Sequence, residues 1–352
     1  MKIQRFLHLP LAAALAAAAQ AAVPVAATDI TALPYTISAP GAYELTGNLT
    51  GVSGFDGITI ASSDVTLDLN GFSLIGVPGS GNGVRLTPFA GYEGIRVENG
   101  VIRDWGASGV LANGSSRTTF SHLFLTDNGE HGLRTGGVVL ISDCIACGNG
   151  QSGFNASGAV LERCIATQNG GIGLDVGGEV RACLSSSNGD DGVNLAGGSI
   201  ITESVARQNG GDGMSTGVNT TFQDCVATSN DDDGIKAGST ARVTGCLTAA
   251  NGQHGIEVED ASFVARNLCA KNGLDAGSNG AGILASGANN RLEGNTLLDN
   301  DVGLMTTAAD NAILLNDCQQ NSVAQYVIAA GSAFGAMGFA ATSASAFANF
   351  IP

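Results

Sequence analysis

The sequence predicts an all-β chain wound as a single-stranded parallel β-helix, with about 21 residues per coil and roughly twelve coils. Three observations carry that prediction. Asparagine recurs at 128, 149, 169, 188, 209, 230, 251, 272, 300 and 321, at intervals of 21, 20, 19, 21, 21, 21, 21, 28 and 21 residues. Four residues after most of them comes a glycine followed by an apolar residue, as in Gly213-Met214 and Gly234-Ile235. Between these landmarks lie apolar pieces of three to five residues, too short for helices and without a 3.6-residue period. One such unit cannot bury its apolar face alone, whereas stacked units share a core.

Residues 1–27 read as a secretory signal peptide: "MKIQR" supplies two positive charges, "FLHLPLAAALAAAA" a short apolar stretch, and "AQA" or "VAA" a cleavage site. The leader predicts an exported, extracellular, cell-surface or periplasmic protein with no membrane span. Residues 28–54 form an N-terminal cap, 55–328 the β-helix, and 329–352 a C-terminal tail. The interval of 28 marks a seven-residue loop at 274–280 that bulges from one corner.

Composition narrows the function classes. Glycine supplies 52 of 352 residues and the formal net charge is −16, which becomes −18 once Lys2 and Arg5 leave with the leader. No basic stripe exists, which argues against nucleic acid, and polyanionic ligands would need bridging cations. The eight cysteines suggest disulfides by number alone, but their positions argue otherwise. Cys144, Cys164, Cys183, Cys225 and Cys246 share one repeat position, with Ser204 and Asn295 in equivalent places. Strand alternation turns Cys164 and Ala166 inward and Ile165 outward. The thiols then stack about 4.8 Å apart with parallel side chains, too far for unstrained bonds, and read as small buried hydrophobes.

The asparagine column reads as structural, supplying left-handed corners and amide-to-amide bonds between coils. The glycines read as turn residues. The outward residues Phe124, Ile145, Ile165, Leu184, Val205, Val226, Leu247 and Leu268 form an apolar lane. Its expected cover is the chain's own tail, with Phe334, Phe339, Phe347 and Phe350; self-association through the lane is the rival.

The stretch "NTLLDNDVGL", residues 295–304, resembles the repeat of the secreted right-handed parallel β-helix proteins. The opening "LPYTISAPGAYELTGNLTG" resembles the N-terminal cap and first coils of a bacterial branch of these proteins with mostly unassigned activities. The ending "SAFANFIP" resembles that branch too, and the similarity covers the mature chain. That superfamily includes pectate lyases, polygalacturonases, alginate epimerases and periplasmic copper-site maturation proteins. The resemblance implies a right-handed helix and a polysaccharide ligand, with lyase or glycoside hydrolase chemistry as the enzymatic form.

An acidic corner supplies the candidate site. Asp191, Asp212, Asp233 and His254 stand just before the repeat glycine on four consecutive coils, stacked about 5 Å apart, with Asp190 and Asp232 beside them. Carboxylates so close relax by facing solvent, raising a pKa or binding a cation. Three readings follow: a solvated face, a Ca²⁺ site formed by Asp190, Asp191, Asp212, Asp232 and Asp233, or catalytic carboxylates. In the catalytic reading Asp212 is the acid and Asp191 or Asp233 the base, because polygalacturonases use several aspartates on one face of this fold. Lys236 is the nearby basic residue that a lyase reading needs. His131 and His254 read as surface residues on separate coils. The primary expectation is a protein that binds or processes an extracellular polysaccharide along its strand face. The alternative is a non-catalytic surface or interaction module that presents the apolar lane.

Overall fold

The computed structural model describes residues 26–335 except 88–90, 276 and 278, together with 337–338 and 349–350. Residues 1–25, which hold most of the expected leader, lie outside the described residues. The described chain has no helix and forms a parallel β-solenoid of about 14 turns. The stack exceeds the roughly twelve coils expected because the opening segment is already wound into it. Thr28–Ile30 pairs in parallel with Gly41–Leu45, and Tyr35–Ile37 with Ile58–Ile60.

Each regular coil contributes three short strands, one to each of three parallel sheets. One coil shows the pattern: Met214–Thr216 lies in the first sheet, Thr221–Gln223 in the second and Val226–Thr228 in the third. The next coil repeats it in register, with Met214 beside Ile235, Phe222 beside Val243 and Val226 beside Leu247. Strand alternation buries Met214, Phe222 and Ala227, and successive coils supply Ile235, Val243 and other aliphatic residues to one continuous core. Trp105 is buried near the N-terminal end, its indole Nε1–H donating to the Leu74 carbonyl at 3.2 Å.

The corners show why the repeat needs its polar residues. The left-handed residue is the one before each asparagine, as at Gln168, Ser187, Gln208, Ser229, Ala250 and Lys271. The asparagines themselves are buried. From Asn128 to Asn321 each Nδ2–H donates to the next Oδ1 at 2.9–3.1 Å, and most backbone N–H groups donate to the same atom. The expected amide stack is present, but the corner handedness belongs to its neighbour in the chain.

The repeat glycines are likewise needed for close approach rather than handedness. A Cβ at Gly213 would lie 2.5 Å from Nδ2 of Asn230 and 2.6 Å from the Gly234 carbonyl oxygen. Any larger residue would push two coils apart.

All eight cysteines are free, and all but Cys147 are buried. Their lane is more polar than small hydrophobes imply. Cys183 accepts the Cys164 N–H through sulfur at 3.4 Å, and Ser204 accepts the Cys183 N–H at 3.1 Å. Asn267 accepts the Cys246 N–H at 2.8 Å, and a second amide ladder then runs through Asn295, Asn316 and Asn349.

The apolar lane is in register from Phe124 to Leu268 and ends at Thr296 and Asp317. The described tail does not lie along it. Ala333–Phe334 pairs with Ala312–Leu314, and Asn349–Phe350 with Asp317–Gln319, so both extend the end of the stack. Phe334 packs edge-on against Tyr326 at 5.0 Å. Phe339 and Phe347, and the side chain of Phe350, lie outside the described residues.

Candidate functional site

The first sheet turns its inner residues into the core and leaves one outward column. On six consecutive coils that column reads Asn155, Asp175, Asn194, Ser215, Lys236 and Glu257, each beside the next in register. It continues into Leu284 and Met305 towards the C-terminus. Two shallow clefts open along it: Asn155, Asp175 and Asn194 line one, and Ser215, Lys236 and Glu257 the other.

The acidic column runs along the edge of this face, superposed as the repeat predicts. Asp191 Oδ1 accepts the Asp212 N–H at 2.8 Å, Asp212 Oδ1 accepts the Asp233 N–H at 2.9 Å, and Asp233 Oδ1 accepts the His254 N–H at 2.8 Å. His254 Nδ1 then accepts the Ala281 N–H at 2.9 Å, fastening the coil that follows the 274–280 insertion. The column is therefore a ladder of acceptors and not a solvated face. Asp212 is 8% exposed and Asp233 only 2%.

Burial governs the electrostatics. It pushes the Asp212 carboxyl up to about 6 and the Asp233 carboxyl up to about 8. Burial also raises Asp175, whose Oδ2 accepts an N–H from Asn155 at 2.6 Å. Lys236 Nζ stands 3.9 Å from both Asp233 Oδ2 and Glu257 Oε2. Burial works against its charge, but Asp212, Asp233, Glu257 and Asp232 overcome that and hold the ammonium above its usual range. Asp191 Oδ2 accepts the Ser215 hydroxyl at 2.5 Å.

A fourth aspartate in the same column shows the effect of a cation. Asp56 Oδ1 accepts the Asn82 N–H at 2.7 Å, while Arg85 Nη1 lies 3.0 Å from Oδ2. Burial raises Asp56 too, but Asn82 and Arg85 together bring it below the ordinary carboxylate range.

The expected histidine placement needs correction. His131 is buried, 7% exposed, with no hydrogen-bond partner for Nδ1. Burial lowers its pKa and that of the half-buried His254, because the repeat position faces the next coil and not water. Of the proposed Ca²⁺ ligands, Asp191, Asp212 and Asp233 each commit one oxygen to a backbone N–H. Asp190 is exposed, and Asp232 accepts an N–H from Gln253 at 2.7 Å. Among the described residues no three His, Cys, Asp or Glu side chains gather as a metal-ligand set. Asp175 and Glu257 stand two residues after the repeat glycine, and the 21-residue spacing alone places them in one column with Lys236.

The family model described as "Right handed beta helix region" matches residues 56–204, 174–297 and 213–348. No curated protein matches the sequence. Among solved structures, the A-module of mannuronan C-5 epimerase AlgE6 from Azotobacter vinelandii superposes with a TM-score of 0.51. It has 15% identity, over 93% of this chain and 90% of that one. The AlgE4 A-module from the same organism gives 0.49 at 15% identity, over 87% and 90%. The Dettilon tailspike protein gives 0.47 at 16% identity, over 86% and 60%. At these identities the likeness is one of fold.

Proposed function

The chain belongs to the right-handed β-helix family, and we propose that it binds a linear polysaccharide laid along the outward face of its first sheet, outside the cytoplasm. The observation that carries this reading is the unbroken polar column Asn155, Asp175, Asn194, Ser215, Lys236 and Glu257. Coils about 4.8 Å apart present one hydrogen-bonding group each, so a polymer lying along the axis meets a partner at every step. An epimerase module on the same fold, named for mannuronan, supports a polymer ligand. Residues 1–27 would direct the chain out of the cytoplasm.

Processing of the polymer is the second reading, favoured by Asp212. Its carboxyl, pushed up to about 6, holds or releases a proton close to neutral pH, with Asp191 on the neighbouring coil. Asp233 lies deeper and serves as Asp212's support, with Lys236 as the charge that reaches the bound polymer.

A panel of linear polysaccharides, with and without Ca²⁺, tests both readings through retention, unsaturated products and reducing ends. At least one polymer is expected to be retained, and about tenfold less tightly by the double variant Asp175→Ser, Lys236→Ser. Retention equal to that of the parent chain would refute the binding face. Products without binding loss on Asp212→Asn would refute the acid.

A further inference from the structure

We propose that a second site, on the second sheet, takes a carboxylate-bearing sugar such as a uronate residue. Arg242 and Arg266 both line two clefts, of about 440 and 290 Å³. Phe263, Ala265 and Leu315 give the larger cleft an apolar lining. In a chain of net charge −16, neither arginine forms an ion pair among the described residues. Arg242 rests instead on the Phe263 ring, 4.9 Å from its centroid.

The same edge shows an arginine that is answered. Arg163 stands at the left-handed corner between the second and third sheets, as Arg266 does. It grips Asp143 of the preceding coil through Nε at 2.7 Å and Nη2 at 2.9 Å. On either side of Arg266 this corner holds Gly245 and Gly294, so no carboxylate comes from its own column. The two acids that line the clefts are engaged elsewhere. Gln223 donates to Asp224 at 3.0 Å, and Arg291 to Glu293 at 2.7 Å. The space beside Gly294 is open, since a Cβ built there meets nothing within 4 Å.

Two guanidinium groups match a carboxylate's two oxygens, and an apolar wall suits the carbon face of a pyranose ring. The surrounding negative charge disfavours an approaching polyanion, so the site suits a single acidic residue or chain end. Sulfate or phosphate would satisfy the arginines but leave the wall unused. The site lies on a different sheet from the polymer face and does not rest on that reading.

Calorimetry on the full chain with glucuronate, glucose and sulfate tests it. Glucuronate is expected to bind, glucose not to bind, and sulfate to bind more weakly. Arg266→Ala should weaken glucuronate by about tenfold or more. Gly294→Asp should abolish binding while leaving both arginines in place, by setting a carboxylate into the larger cleft beside Arg266, on the coil after it. Aspartate tolerates the left-handed backbone there, and an unchanged thermal melt would confirm that the variant folds. Three results would overturn the assignment: no glucuronate binding, sulfate binding as tightly as glucuronate, or glucuronate binding unchanged in both variants.

Discussion

Two columns climb this solenoid with the same task and different chemistry. The asparagine column offers each side-chain oxygen to the backbone N–H of the coil before it, and the aspartate column to that of the coil after it. An amide also carries a donor, so Asn209 bonds to Asn230 and Asn230 to Asn251 without any charge. An ionised carboxylate has none. Asp212 and Asp233 therefore accept one N–H each; burial raises both carboxyls, and repulsion from neighbouring acids adds to that cost. The amide column repeats over ten coils, whereas the carboxylate column persists for three and ends on a histidine. A self-complementary group can be stacked indefinitely; an acid needs a proton or a cation, as Arg85 provides for Asp56.

The largest effect is expected in the amide ladder. Asn230→Leu orphans the buried Asn209 N–H and leaves Asn209 Nδ2 with only the Ser185 carbonyl at 3.4 Å. At about 1–3 kcal/mol for each group so affected, urea unfolding should show a loss of about 3–5 kcal/mol. A loss below about 1 kcal/mol would mean that the ladder is not a principal support.

Lys236→Met should do less, because the ammonium is 54% exposed and its pairs at 3.9 Å are loose. Solvent-screened pairs of this kind contribute about 1 kcal/mol or less. Removing the ammonium should also drive the Asp233 and Asp212 carboxyls further up, visible in a carboxyl-carbon NMR titration. An unmoved titration would separate Lys236 from the column.

Cys225→Ser should do least, within about 1 kcal/mol, since Ser204 already fills that column one coil away. In the native chain only Cys147 should take a thiol label, against all eight after unfolding. Rapid native labelling of Cys164 or Cys246 would contradict the packing of the lane.

The fold was legible because its signal is a spacing, and a spacing of 21 residues survives changes in residue type. The registers Met214 to Ile235 and Ser215 to Lys236 follow from it directly. Burial at a corner was not legible in the same way. Nothing near Asp233 or His131 tells whether a polar residue before a glycine faces water or the next coil; that depends on the backbone path. The glycine rationale failed for a related reason, since the close approach of Gly213 to Asn230 joins residues on different coils. The Arg242–Arg266 clefts were hidden more deeply still, because an unanswered charge is recognised only once its spatial neighbours are known. Of the tail, hydrophobicity alone gave no sign that Ala333–Phe334 would continue the stack by backbone pairing.

The pH dependence of stability in Asp233→Asn relative to the parent chain tests the acid ladder most directly. The Asp233 carboxyl is pushed up to about 8 from an ordinary 3.8, so the folded chain holds this proton more tightly than the unfolded one. Its contribution is complete below about pH 4 and is lost as pH rises from there to about 8. Urea midpoints should therefore match near pH 4, and the asparagine variant should become progressively the more stable of the two up to about pH 8. A constant offset across that window, or a parent chain that gains on the variant as pH rises, would contradict the account.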